Sequence, residues 1–248
     1  MSTPPAAWLT LTKCEARMVV RDTAGLVVPI ALPMLVLVMN ASAAAGRTAG
    51  GGRSALDVHV LPLVFAIVLA SIGVINMPGF LAYYRRAGIL RRLAVTPVSP
   101  LLVLVAQLLV SLAQALLGVG LAFAFAVLAF GARPPAAAGA AALATLLSVA
   151  ALYAVGMVVA SVAPTPNSAV AIGLVAFFVL GAVGGMFGGT DALPDVVALV
   201  GAWLPFGATV DALSHAWAGA AVPTDTVVAL LAVTAAGVTV ATVWFRWD

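Results

Sequence analysis

The stretch "YYRRAGILRRLAVTPVSP", residues 83–100, carries four arginines and no acidic residue. It lies between two apolar runs of membrane-crossing length, 58–83 and 101–131. A cationic segment between two such runs is a loop, and cations mark the cytoplasmic side of a membrane protein. Ile89, Leu90 and Leu93 recur at helical spacing among the arginines, and Gly88 permits a sharp turn after the preceding span. The two prolines of "TPVSP" then stop the helix. A short amphipathic helix parallel to the membrane is expected here. Two readings are open: a topology signal touching lipid phosphates, or a docking surface for a cytosolic partner.

The rest of the chain supports a membrane setting. Of 248 residues, 64% are hydrophobic and only 8% charged, with a mean hydropathy of +1.21. A soluble domain carries roughly a quarter charged residues, so this composition cannot cover a water-facing surface. Ten arginines against the single Lys13, with abundant Ala, Gly and Val, suggest a G+C-rich, bacterial coding sequence. One cysteine, Cys14, excludes an internal disulfide and a Cys-based metal cluster. The opening "MSTPPAAWLTLTKCEARMVVRD" is charged throughout and lacks a signal peptide's apolar core and cleavage site. An uncleaved first span is expected.

A helix needs about 20 apolar residues to cross the hydrocarbon, and strand-type alternation is missing. Six runs qualify: 24–45, 58–83, 101–131, 136–163, 168–188 and 226–245. The segment 190–224 is apolar but broken by Pro194, Pro205 and Gly207, each half too short to cross. It reads as a pair of re-entrant or interfacial helices. Before the first span, Trp8, Leu11, Cys14 and Met18 share one helical face while Thr10, Lys13 and Arg17 lie on another, a pattern for a membrane-surface helix. The expected fold is all-α and integral to the membrane. One domain fills 1–248, with an interfacial helix over 1–23 and a six-span bundle over 24–248.

With the N-terminus inside, Lys13, Arg17, Arg21, Arg85, Arg86, Arg91, Arg92 and Arg246 are cytoplasmic, and only Arg47, Arg53 and Arg133 lie outside. The excess predicts that both termini and the arginine loop face the cytoplasm of a bacterial plasma membrane. Inside the membrane, Gln107, Ser111 and Gln114 share a face of the third span, where interhelical hydrogen bonding is the preferred reading over a substrate route. Asn40 and Asn76 are better placed as candidate route residues. Asp211 and His215 are one helical turn apart, suited to a local contact. The Gly181/Gly185, Gly184/Gly188 and Gly185/Gly189 pairs put small residues four apart at the end of the fifth span, a spacing that lets helix backbones approach closely.

The same residues carry a resemblance. The loop Gly88, Leu90, Arg91, Arg92, Leu93, Thr96 and Pro97 resembles the cytoplasmic loop of the ABC-2 family of transport permeases. "MFGGTDALPDVVALVGAWLPFGATVDAL" is similar to that family's outer segment, with Leu-Pro twice before the last span. The nearest flavour is the antibiotic-resistance exporters of the daunorubicin type. The chain departs from many members in having Tyr83, Tyr84, Arg85 and Arg86 where they carry acidic residues.

The resemblance implies that the loop, including Arg85 and Arg86, is a coupling helix resting on an ATPase subunit. It implies two permease subunits, identical or closely related, joined near the first and fifth spans with Gly181, Gly184, Gly185 and Gly188 at the interface. Two copies of a separate ATPase would hold the ATP and Mg. This chain shows no G-x-x-x-x-G-K-[ST] phosphate loop, no His/Asp/Glu cluster at metal-ligand spacing and no G-x-S-x-G. No catalytic residue, metal, cofactor or nucleic-acid partner is expected, and membrane lipid is. The implied role is an exporter's permease, moving an amphipathic drug, lipid, peptide or glycoconjugate. The main rival, an ion- or proton-driven transporter, would want paired acids at mid-membrane. An intramembrane enzyme would want a nucleophile–base pair.

Overall fold

A computed structural model describes residues 5–44, 46–49, 52–89 and 100–244. The first helix, α1 (Pro5–Arg21), turns into α2 (Thr23–Ala44) at Asp22, whose Oδ1 accepts the Gly25 N–H at 3.1 Å and so caps α2. There follow α3 (Leu56–Arg86), α4 (Pro100–Phe130), α5 (Ala138–Val162) and α6 (Pro166–Val183). A capping box between Thr165 and Ser168, with Pro166 in the first turn, starts α6 sharply. After α7 (Asp195–Trp203) and α8 (Pro205–Ala218) the described chain ends with α9 (Thr224–Trp244).

Six of these helices are long and apolar enough to cross a membrane: α2, α3, α4, α5, α6 and α9. Their bounds agree with the expected runs except in α6, which stops at Val183 rather than 188. There Gly185 takes φ +84° and Gly189 φ +79°, backbone that favours glycine and turns the chain out of the helix. The expected broken pair is α7 and α8, bent by 82° at Leu204, with Pro205 opening the second helix. The two differ in burial. In α7, Val196, Leu199 and Trp203 are exposed, whereas α8 is enclosed by α3, α5 and α9.

The core is organised around α3. In its most apolar stretch 78% of residues are buried, against 22% in α2 and α6. Two turns of α3, Leu56–Val60 and Ser71–Asn76, are π-helical and wider than an α turn. At the second, neighbouring helices come closest through glycine. Gly156 of α5 lies on the Gly73 carbonyl and Gly173 of α6 on that of Val74, with no room for a Cβ at either. Such contacts let Cα–H groups face carbonyl oxygens. Above them Phe65 of α3 meets Trp217 of α8 at 5.3 Å, and Phe177 of α6 meets Phe206 at 6.5 Å.

The expected apolar face of α1 is rotated in the structure. Glu15 and Val19 are buried and Leu11 and Met18 half-buried against the bundle, whereas Cys14 is exposed. The side chain of Trp8 lies outside the described residues.

The glycine contacts give a direct test. Gly156→Ala and Gly173→Ala should each destabilise the purified protein by about 1–3 kcal/mol, the cost of overpacking. Gly120→Ala, which meets open space, should be neutral or slightly stabilising. Thermal midpoints followed by size exclusion would show it; a wild-type midpoint for Gly156→Ala would refute the assigned crossing.

Candidate functional site

The arginine-loop end of α3 gathers its fastenings within three residues. Tyr84 is buried and donates its hydroxyl to a carboxylate oxygen of Glu15, also buried, which pins α1 to α3. Arg85 points the other way. Its guanidinium donates to the Ala160 carbonyl at 3.2 Å and to that of Ala163, at the end of α5. The last carbonyls of a helix lack partners within it, and a cation there also suits the helix dipole. Arg86 is exposed. Arg85 lines a cavity of about 570 Å³ with Ser161, Pro164 and Trp244, beside the point where the chain leaves α3.

The exit itself is a tight turn. The Ala87 N–H bonds the Tyr83 carbonyl at 2.8 Å and the Gly88 N–H that of Arg85 at 3.1 Å. Gly88 has φ +65°, as its predicted turn requires. Ile89 packs on the core. Leu90, Arg91, Arg92, Leu93, Thr96 and Pro97 lie outside the described residues, so the expected coupling helix does too.

Compared with known families, the sequence matches the model of the ABC-2 type transporter over residues 6–217. The chain belongs to that family. No curated protein matches it. The matched region runs from α1 to the end of α8 and takes in the Glu15–Tyr84 contact, Arg85 and the arginine loop. As an ABC-2 membrane domain, the chain is the permease component of a transporter. It is a multi-pass transport subunit, not a catalyst in itself.

Several polar residues of this permease have specific structural partners. Pro29 lacks an N–H, so the Gly25 carbonyl four residues earlier has no helical donor. In hydrocarbon an unsatisfied carbonyl is expensive. Asn76 Nδ2 from α3 donates to it, and so does Gln114 Nε2 from α4 at 2.8 Å. Asn76, a candidate route residue, thus ties α2 to α3. The other candidate, Asn40, is exposed and bonds the Val36 carbonyl of its own helix at 2.9 Å. Gln107 donates to Ser111 at 3.3 Å, and its Oε1 is buried with no partner. His215 Nδ1 lies 3.3 Å from Asp211 Oδ1, the expected local contact, and Thr226 donates to Asp211 Oδ2 at 2.6 Å.

Among the glycines, Gly181 faces Met186, and a Cβ on Gly184 would meet Phe206 and the Gly207 nitrogen. Gly185 abuts Gly189 and Thr190, whereas Gly188 is exposed. The first three pack within the chain. Among the described residues no group of three His, Cys, Asp or Glu side chains could hold a metal.

Sequence reading missed Glu15, the chain's one glutamate. The available signal was its phase: Leu11, Glu15 and Val19 are four apart, on one face. Burial pushes the Glu15 carboxyl above the ordinary carboxylate range, and the Tyr84 hydrogen bond pulls it partly back. The folded chain therefore holds this proton more tightly than the unfolded chain does. Its contribution to α1 docking is fully present below the ordinary carboxylate pKa and is lost as pH rises through the raised value. Glu15→Gln should flatten that pH dependence and strengthen docking at neutral pH. Tyr84→Phe, leaving a buried acceptor without its donor, should weaken docking by about 1–3 kcal/mol. Hydrogen exchange of α1 amides across pH 5–8 (about one unit per step) reads both; an unchanged pH profile in Glu15→Gln would contradict the assignment.

Proposed function

We propose that this permease is the membrane half of an ATP-driven exporter in the plasma membrane of a bacterium. Two copies, or one copy with a close relative, would combine with two separate ATPase subunits that bind ATP and Mg. The substrate is an amphipathic drug, lipid, peptide or glycoconjugate carried outward. The observation that best supports this reading is the arginine-loop end of α3. The most buried helix of the bundle ends in Tyr84 and Arg85, fastened to α1 and α5, and leads within a few residues into Arg91 and Arg92.

A push on that loop would be delivered to the centre of the bundle rather than to its periphery. As the ATPase pair closes on ATP, the coupling segment over Arg85, Arg86, Gly88, Leu90, Arg91, Arg92, Leu93, Thr96 and Pro97 would move α3. The Glu15 and Ala160–Ala163 contacts would carry α1 and α5 with it. Both termini are proposed to be cytoplasmic, as the eight-to-three division of cations supports.

The permease–permease contact is proposed over the exposed faces of α2 and α6. Val27, Val28 and Leu32 on α2 and Leu174, Val175, Phe178 and Val179 on α6 lack cover within the chain. Of the four glycines proposed for this interface, Gly188 is exposed and would face the partner copy, whereas Gly181, Gly184 and Gly185 pack within the chain and shape the end of α6. Asn40, exposed on α2, would then border the route between copies near one end of α2, and Asn76, bonded to Gly25, would lie near the other end.

The coupling reading is tested at the loop. Arg91→Glu with Arg92→Glu should leave the protein inserted, because Lys13, Arg17, Arg21, Arg85, Arg86 and Arg246 still outnumber the three cations opposite. Co-purified ATPase should fall by at least about tenfold, as expected when a charged interface is reversed, and export should be lost. Normal export by the inserted double variant would return the loop to a topology signal.

A further inference from the structure

Cations are disfavoured on the non-cytoplasmic side of a membrane protein, yet Arg47, Arg53 and Arg133 all lie at the end opposite the arginine loop. They do not scatter there. All three line one cavity of about 390 Å³ between the ends of α2, α3 and α4. The cavity is a built feature. Thr48 and Ser54 pair as antiparallel backbone, with the Ala49 N–H on the Arg53 carbonyl at 2.7 Å and the Ala55 N–H on that of Arg47 at 2.9 Å. Strand alternation puts Arg47 and Arg53 on the same face of this short hairpin. Arg53 also donates to the Pro134 carbonyl at 2.8 Å, fastening the hairpin to the α4–α5 loop. The third wall is held by Asp57, buried, whose Oδ1 accepts the Arg133 N–H at 2.8 Å.

The charges in this cavity do not cancel. Among the described residues, Asp57 is the only carboxylate in its lining. The one side-chain ion pair among the described residues is His215–Asp211, so none of the three arginines has a carboxylate in salt-bridge contact. Three arginines and one buried carboxylate leave an excess positive charge in the lining, with no second counter-ion among the described residues there. Guanidinium forks match the oxygens of phosphate and carboxylate groups bidentately, and charge-assisted hydrogen bonds of this kind are the strong ones.

We propose that this cavity binds an oxyanion of the phosphate class. Two sources offer that chemistry at a membrane surface: the headgroup of an anionic phospholipid and free phosphate. Leu56 and Phe130 at the cavity wall give apolar cover beside the charges, suited to a headgroup with its chains attached. The site needs neither the exporter reading nor an ATPase, and it exists whichever way the chain is inserted.

The test uses the full chain in neutral detergent. Native mass spectrometry would measure retention of phosphatidylglycerol against phosphatidylcholine, and calorimetry would measure binding of inorganic phosphate. The variant is Arg47→Gln with Arg133→Gln; neither side chain makes a hydrogen bond among the described residues, and Arg53 is kept for its structural bond. Arg17→Gln with Arg21→Gln removes the same charge elsewhere. Wild type and the control should retain phosphatidylglycerol preferentially, and the cavity variant should retain it at least about tenfold more weakly. If inorganic phosphate binds with the same dependence on Arg47 and Arg133 and the lipid is not preferred, the site stands and free phosphate is its source. If the cavity variant matches wild type for both probes, or neither probe binds, the proposal is overturned. Should the double variant fail to fold, Arg47→Gln alone carries the test, with about a threefold loss expected and wild-type retention contradicting it.

Discussion

The contact of Gly156 and Gly173 with the Gly73 and Val74 carbonyls sets how the helices of this permease can be arranged. Lipid removes the hydrophobic drive that packs soluble helices, leaving close van der Waals contact and backbone satisfaction to hold the bundle. A widened turn in α3 offers carbonyls sideways, and two neighbouring helices present glycine to them. That seats α5 and α6 against α3. The Gly25 carbonyl, freed by Pro29 and taken by Asn76 and Gln114, ties α2 to α3 and α4. Both devices meet the same constraint, that no backbone group in the hydrocarbon is left without company.

Much of this was legible in the residues, for identifiable reasons. Length and apolarity set the six spans, because a helix must cover the hydrocarbon whatever its neighbours are. Pro194 and Pro205 marked the broken α7–α8 pair. The end of α6 was misjudged, because Gly184, Gly185, Gly188 and Gly189 sit in an apolar stretch and only the backbone shows two of them at positive φ. The centrality of α3 was not legible, since all six spans are apolar and hydropathy does not say which one the others surround. The face of α1 was misphased: its apolar residues admit two neighbouring stripes, and the polar Glu15 belongs to the buried one. The role of Gly25 was open to reading, because Pro29 names the carbonyl it leaves free.

At the candidate site the gap has a different cause. Gly88 and its turn are as the sequence predicts, and Arg85 proves to be a helix-end ligand of α5 rather than a free surface cation. That end of α3 is fastened by a tyrosine–glutamate bond and by guanidinium–carbonyl bonds. The three arginines at the opposite end were visible in the sequence as exceptions to the charge rule. Their convergence on one cavity required the fold.

In the proposed coupling, α3 would be the post through which a separate ATPase drives this permease. The most direct measurement is ATP hydrolysis in proteoliposomes containing the co-purified ATPase, with and without the permease, and with the fastenings of α3 to α1 and α5 removed by Tyr84→Phe with Arg85→Ala. Hydrolysis should depend on the permease and lose much of that dependence in the double variant. Hydrolysis that ignores both the permease and the loss of these fastenings would contradict the account.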